Sequence, residues 1–184
     1  IYFNARIEIL LKTNQAEKAI DILEKILDKD PDNTDILYHL ALIYQRQERQ
    51  AESERVLRHI LDVNPDDAFA SNGLGYYYAE KGIKLVEARR LIENAYRQKP
   101  LDWQMLDSMA WLCFREGRNE QAYYFALAAM RSGFHRVVIV HMLDILVALG
   151  RQDEAQSVFN ELSRRLPNDP KIIELGKRLK LLQQ

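Results

Sequence analysis

Four of the five prolines, Pro31, Pro65, Pro100 and Pro167, stand 34, 35 and 67 residues apart. The last interval is two periods, so one proline is missing, and the segment around Phe134 takes its place 34 residues after Pro100. The small residues Ala19, Ser53, Ala88, Ala122 and Ala155 follow one another at 34, 35, 34 and 33. Gly82, Gly117 and Gly150 keep the same phase. Three residue classes sharing a period near 34 mean one small supersecondary unit repeated along the chain. A unit of that size cannot bury its apolar face alone, so neighbouring units must stack and each contacts mainly the next.

Inside each period apolar residues recur three and four apart, the spacing of one helix face. In the second unit these are Leu37, Leu40 and Tyr44, then Val56, Leu57, Ile60 and Leu61. Gly and Pro number only 7 and 5 in 184 residues, which leaves little chain for loops and predicts an all-α protein. Ala41, Gly75 and Ala110 are small enough to let a neighbouring helix approach closely. The phased glycines are expected to end the first helix of their units, where a left-handed residue is needed, and the prolines to follow the second helix. The pattern gives five helical hairpins at about 1–33, 34–67, 68–102, 103–135 and 136–169, in a single array. An amphipathic tail from Pro170 to Leu182, within 170–184, is expected to cap it. The residue that makes the third unit 35 long should lie between Gly82 and Ala88, because loops absorb extra length cheaply.

These units resemble the tetratricopeptide repeat, whose pattern runs W-x2-L-G-x2-Y, A-x3-F, P. The nearest copy reads Ser71-x2-Leu74-Gly75-x2-Tyr78, Ala88-x3-Ile92, Pro100. The second unit reads Leu37-x2-Leu40-Ala41-x2-Tyr44, Ser53-x3-Leu57, Pro65. The fourth reads Leu106-x2-Met109-Ala110-x2-Cys113, Ala122-x3-Ala126, without its proline. Ile139, Met142, Leu143 and Leu146 carry the fifth, with Ala155, Phe159 and Pro167. Phe3, Arg6, Ile7 and Leu10 carry the first, in which Arg6 stands at a normally apolar position. The resemblance implies a right-handed α-solenoid whose concave groove is lined by the first helix of each unit. Carried over by position, the groove residues are Asp35, Tyr38, Leu42 and Gln45, then Asn72 and Tyr76. Gln104, Asp107, Trp111 and Phe114 follow, then Val140 and Asp144, with Glu174 and Arg178 closing the row. The family's best-known subgroup grips a partner's C-terminal carboxylate with paired Lys and Asn. The matching positions here carry Tyr38, Leu42, Asn72, Tyr76 and Asp107, so that clamp is absent. What remains is aromatic with an acidic bias from Asp35, Asp107, Asp144 and Glu174, which predicts a partner with apolar anchors and some basic residues.

No reaction centre emerges from the residues themselves, and the chain reads as non-enzymatic, with no cofactor or metal. Cys113 falls where Tyr44 and Tyr78 fall in their units, so it reads as a packed core thiol. His39 and His141 share a register in helices about a hundred residues apart, and His135 and His141 are six apart, the wrong spacing for one helix face. Gly73-Leu74-Gly75 mimics a dinucleotide loop but lies inside a helix with no strand before it, and close helix packing accounts for it. Arg89-Arg90, Arg164-Arg165 and Lys177-Arg178 alternate with Glu on helix faces and read as solvated surface. With 26 basic and 27 acidic residues the net charge is −1, and nucleic acid is not an expected partner. The longest apolar run, Tyr123 to Met130, is eight residues, so direct membrane insertion is not expected.

A narrower likeness lies in Asn72-Gly-Leu-Gly-Tyr-Tyr-Tyr-Ala-Glu, Glu87-Ala-Arg-Arg-Leu-Ile and Leu106-Asp-Ser-Met-Ala-Trp. This resembles the C-terminal half of Gram-negative envelope tetratricopeptide lipoproteins that serve as adaptors for a carboxyl-terminal processing protease. It implies an envelope protease as partner and leans toward a bacterial periplasm or envelope, with the cytoplasm as the alternative. The chain opens at Ile1 without Met or a signal peptide, which reads as a piece of something longer. The leading expectation is a protein-binding scaffold or adaptor. Its rivals are a homodimerising module, using exposed aromatics such as Tyr124 or the first unit, and the regulatory arm of a larger enzyme.

Overall fold

The computed structural model describes residues 15–181 and, ahead of them, residues 7, 10, 11 and 13. Ten helices and no strand occur among the described residues. They are α1 (Ala16–Leu27), α2 (Thr34–Arg46), α3 (Gln50–Val63), α4 (Ala68–Lys81), α5 (Leu85–Gln98), α6 (Trp103–Arg115), α7 (Asn119–Met130), α8 (Arg136–Ala148), α9 (Gln152–Arg165) and α10 (Pro170–Arg178). Ile7 and Leu10 are helical and Ile7 is buried, whereas Phe3, Arg6 and Leu182 lie outside the described residues. Each proline of the period follows a second helix, after α1, α3, α5 and α9.

Two compact units divide the chain, Ile1–Leu74 and Gly75–Gln184, the division falling inside α4. In the first, α1 packs on α2 and α2 on α3. Ala19, Leu23, Leu40, Tyr44, Leu57 and Ile60 are buried there. In the second, each helix from α5 to α9 packs on the next, and α6 also meets α8. Its core joins Ala110, Cys113, Ala122, Leu143, Leu146, Ala155, Phe159, Leu162 and Ile172.

One backbone closure recurs at the ends of α2, α4, α6 and α8. The N–H of Arg49 donates to the carbonyl of Tyr44, Ile83 to Tyr78, Arg118 to Cys113 and Arg151 to Leu146, at 2.8–3.0 Å. This six-to-one bond needs a left-handed residue just before the donor. Gly82, Gly117 and Gly150 supply it with φ of 67°, 75° and 72°, and Glu48 supplies it in the second repeat with φ of 58°. The third unit's extra residue lies in the expected turn, where Lys84 adds a second left-handed residue with φ of 47°. The tail differs from expectation. Its helix stops at Arg178, because Lys180 turns left-handed at φ of 56° and the Leu181 N–H returns to Gly176 at 2.8 Å. α10 therefore closes as the earlier first helices close.

Gly75 is where close packing demands glycine. A Cβ there would sit 2.7 Å from Ile92 Cγ1 and 3.1 Å from the Ala88 carbonyl oxygen, below ordinary contact. At Gly73 it would meet Leu57 at an ordinary 3.5 Å, so close packing accounts for Gly75 alone.

Candidate functional site

Four first helices are opened by an Asx side chain two residues after a proline. Asn33, Asp67, Asp102 and Asp169 accept from the backbone N–H groups of Ile36, Ala70, Gln104 and Lys171, at 3.2, 2.7, 2.8 and 2.9 Å. Each satisfies an orphan donor of the first turn. α8, which follows the turn without proline, has no such cap. There the His135 imidazole instead lies flat on Trp103 of α6, ring centroids 3.9 Å apart. The first helices are thus started by local chemistry, and this sets which side chains they present.

In the first unit, Asp35 is exposed and Tyr38 is half-buried 5.9 Å from Phe69. Both line a cleft of about 400 Å³ with Asn33, His39, Ile60 and Asp67. Leu42, Gln45 and Asn72 are half-buried, and the side-chain Oδ1 of Asn72 is buried without a hydrogen-bond partner among the described residues.

The second unit carries a row of four rings contributed by three first helices. Phe114 stacks on Trp111 at 5.0 Å, Trp111 on His141 at 4.2 Å, and Tyr76 tilts against His141 at 5.9 Å. Trp111 and Phe114 lie one turn apart on α6, His141 comes from α8 and Tyr76 from α4. Beneath the rings, His141 Nδ1 lies 2.9 Å from Asp107 Oδ1, and its Nε2 lies 3.3 Å from the Tyr76 hydroxyl. An ionised carboxylate only accepts, so Nδ1 carries the proton toward Asp107. Neutral imidazole then accepts the Tyr76 O–H at Nε2. Burial, with Glu80 and Asp107 nearby, raises the Tyr76 hydroxyl well above the ordinary phenol range, so it stays protonated.

The structure changes the electrostatic reading of this row. Asp107 is 4% exposed and bound to His141, so it is not the open acidic group that its register suggested. Asp144 is also turned inward, its carboxylate held by both terminal nitrogens of Arg178 at 2.6 and 3.0 Å. Asp107 is thus hydrogen-bonded within the chain and Asp144 is paired with a cation, while Glu174 is exposed. Gln104 and Val140 are half-buried on the same helices, Val140 against the core. His141 is the residue that sequence reasoning set aside. Its signal was the interval of 34 from Asp107, which places the two at equivalent positions of consecutive first helices.

Elsewhere the chemistry is structural. Cys113 is fully buried, which pushes its thiol pKa up. Arg89 is engaged by Glu93 and Glu116, and Arg164 and Arg165 by Glu161. Among the described residues no cluster of metal-ligating side chains occurs, and no helix is long and apolar enough to cross a membrane.

Comparison with known proteins agrees with this geometry. Residues 10–72 match the tetratricopeptide repeat model. The chain is 31% identical over 135 residues to the TPR repeat-containing protein PA4667 of Pseudomonas aeruginosa, covering 73% of this chain and 23% of that protein. It is 24% identical over 168 residues to human protein O-mannosyl-transferase TMTC3, covering 89% of this chain and 18% of that one. The chain thus spans less than a quarter of either relative. Among solved structures, TTC0263, a thermophilic TPR protein of Thermus thermophilus, superimposes with a TM-score of 0.78 at 15% identity over 97% of both chains. The fold is that of stacked tetratricopeptide hairpins, and such domains are in general protein-interaction modules, typically without catalysis of their own.

Proposed function

We propose that this chain of tetratricopeptide repeats is a non-catalytic adaptor that holds a segment of a partner protein on the first helices of its second unit. The observation that carries this is the ring row Tyr76, His141, Trp111 and Phe114, built on buried polar bonds, in which Tyr76, Trp111 and Phe114 stand at positions the resemblance assigns to the groove. Rigid aromatic side chains bury much area at small entropy cost and commonly dominate interfaces. Gln104, Val140, Asp144 and Arg178 flank the row. The row itself is aromatic and Asp144 is paired with Arg178, so the partner segment is anchored by apolar side chains and its affinity varies little with salt. Asp35, Tyr38, Leu42, Gln45 and Asn72 form the corresponding positions of the first unit. On the likeness to envelope lipoproteins, a carboxyl-terminal processing protease of the periplasm is the first partner to try.

The test is affinity capture with the wild-type chain against Trp111→Ala and Phe114→Ala, each checked for equal helicity by circular dichroism. Asp107→Lys is unsuitable, since it would bury a cation against His141. We expect a partner captured by wild type whose affinity falls at least tenfold in Trp111→Ala and changes less than twofold between 50 and 300 mM salt. Equal capture by both variants overturns this placement, and a self-associating wild type would favour the homodimer reading.

A further inference from the structure

We propose that Asp107, His141 and Tyr76 form a proton-operated switch beneath the ring row, in which His141 takes up the proton and the Tyr76 hydroxyl reverses its role. The bonds are laid out so that both protonation states of His141 are satisfied. With a neutral imidazole, Nδ1–H donates to Asp107 and Nε2 accepts from Tyr76. With an imidazolium both nitrogens donate, so Tyr76 Oη becomes the acceptor at Nε2 and its own hydrogen turns away. The proton also brings the Asp107–His141 pair from one net negative charge to none. The stacked indole of Trp111 gains a cation at its face in the protonated state, which strengthens the contact.

The groups facing the imidazole come from several helices. α6 brings Asp107 and Trp111, and α4 brings Tyr76, on whose hydroxyl Glu80 acts. On α8 itself Asp144 lies one turn on, with its charge taken by Arg178 of α10. Among the described residues α7 and α9 bring no hydrogen-bonded charged group to the ring. The use of this switch to control a partner rests on the reading of the ring row as a binding face. A released Tyr76 hydrogen there would serve a partner's carbonyl, and the loss of negative charge would disfavour a partner's cation.

The switch is testable without any partner. Trp103→Phe leaves Trp111 as the sole tryptophan. A stacked imidazolium quenches excited indole by accepting charge from it, so fluorescence reports the protonation of His141. We expect emission in Trp103→Phe to fall at least 1.5-fold, reversibly, between pH 8 and 5.5 at constant helicity, and to stay flat when His141→Gln is added. Should Trp103→Phe fold poorly, His135→Gln removes the other stacked histidine and serves as the background. Nitrogen-15 spectra of the imidazole should show the Nδ1–H tautomer at pH 8, giving way to a mixture in Asp107→Asn. A flat emission profile, or an equal fall with His141→Gln, overturns the switch whatever the capture experiment shows. Loss of the capture contrast would overturn the binding reading and leave this titration untouched.

Discussion

Glu48 is a bulky residue at a position that its counterparts give to glycine. Its φ of 58° closes the first helix of the second repeat just as Gly82, Gly117 and Gly150 close theirs. A left-handed residue with a Cβ costs on the order of 1 kcal/mol, part of which glycine gives back through a floppier unfolded chain. Glu48 is exposed, so its side chain adds little in compensation. Glu48→Gly should therefore raise stability by about 0.5–1 kcal/mol, read as a higher thermal midpoint. The same reasoning explains what the glycine phase hid: Gly82, Gly117 and Gly150 mark the closure, but the closure itself does not require glycine. At this scale Tyr76, Trp111 and Phe114 were singled out through the family resemblance, and the structure brings their rings into one row. The burial of Asp107 was not legible, because register says which helix face a residue occupies and nothing of the imidazole arriving from the next first helix.

Among the elements, the helix pair α4 and α5 meets at a contact that leaves no room for a side chain on Gly75. Ala88 is fully buried and its carbonyl oxygen lies 3.1 Å from where a side chain on Gly75 would begin. Ala88→Leu should destabilise by about 1–3 kcal/mol through overpacking, measurable by urea unfolding, and a neutral result would contradict the packing described. The helix pairs were legible because apolar spacing, glycine and proline all report the same boundaries. A fourth signal was also in the sequence: Asx two residues after each proline of the period, capping α2, α4, α6 and α10. The break in that signal at Phe134-His135 coincides with the missing proline. The tail was misjudged in length because amphipathic spacing continues past Arg178, whereas the left-handed turn at Lys180 leaves no mark in apolar periodicity.

For the whole molecule, repetition means that stability accrues from neighbour to neighbour, so regions need not open together. Each compact unit has its own buried core, and bulk probes such as helicity average over both. The single cysteine of the chain lies in only one of them, fully enclosed between α6 and its neighbours, with its thiol held in the unreactive protonated form by burial. It is consequently a clock already installed in the protein. A disulfide reagent can reach that sulfur only while its surroundings are open, and the labelling rate counts those openings. When closing outpaces labelling, that rate relative to the denatured chain gives the open fraction directly. We expect Cys113 to react at least ~10³-fold more slowly in the native protein than in urea-unfolded chain. A partner seated on Trp111 and Phe114, two residues to one side of Cys113 and one to the other, would slow this clock further, which makes binding measurable with no label but the protein's own sulfur.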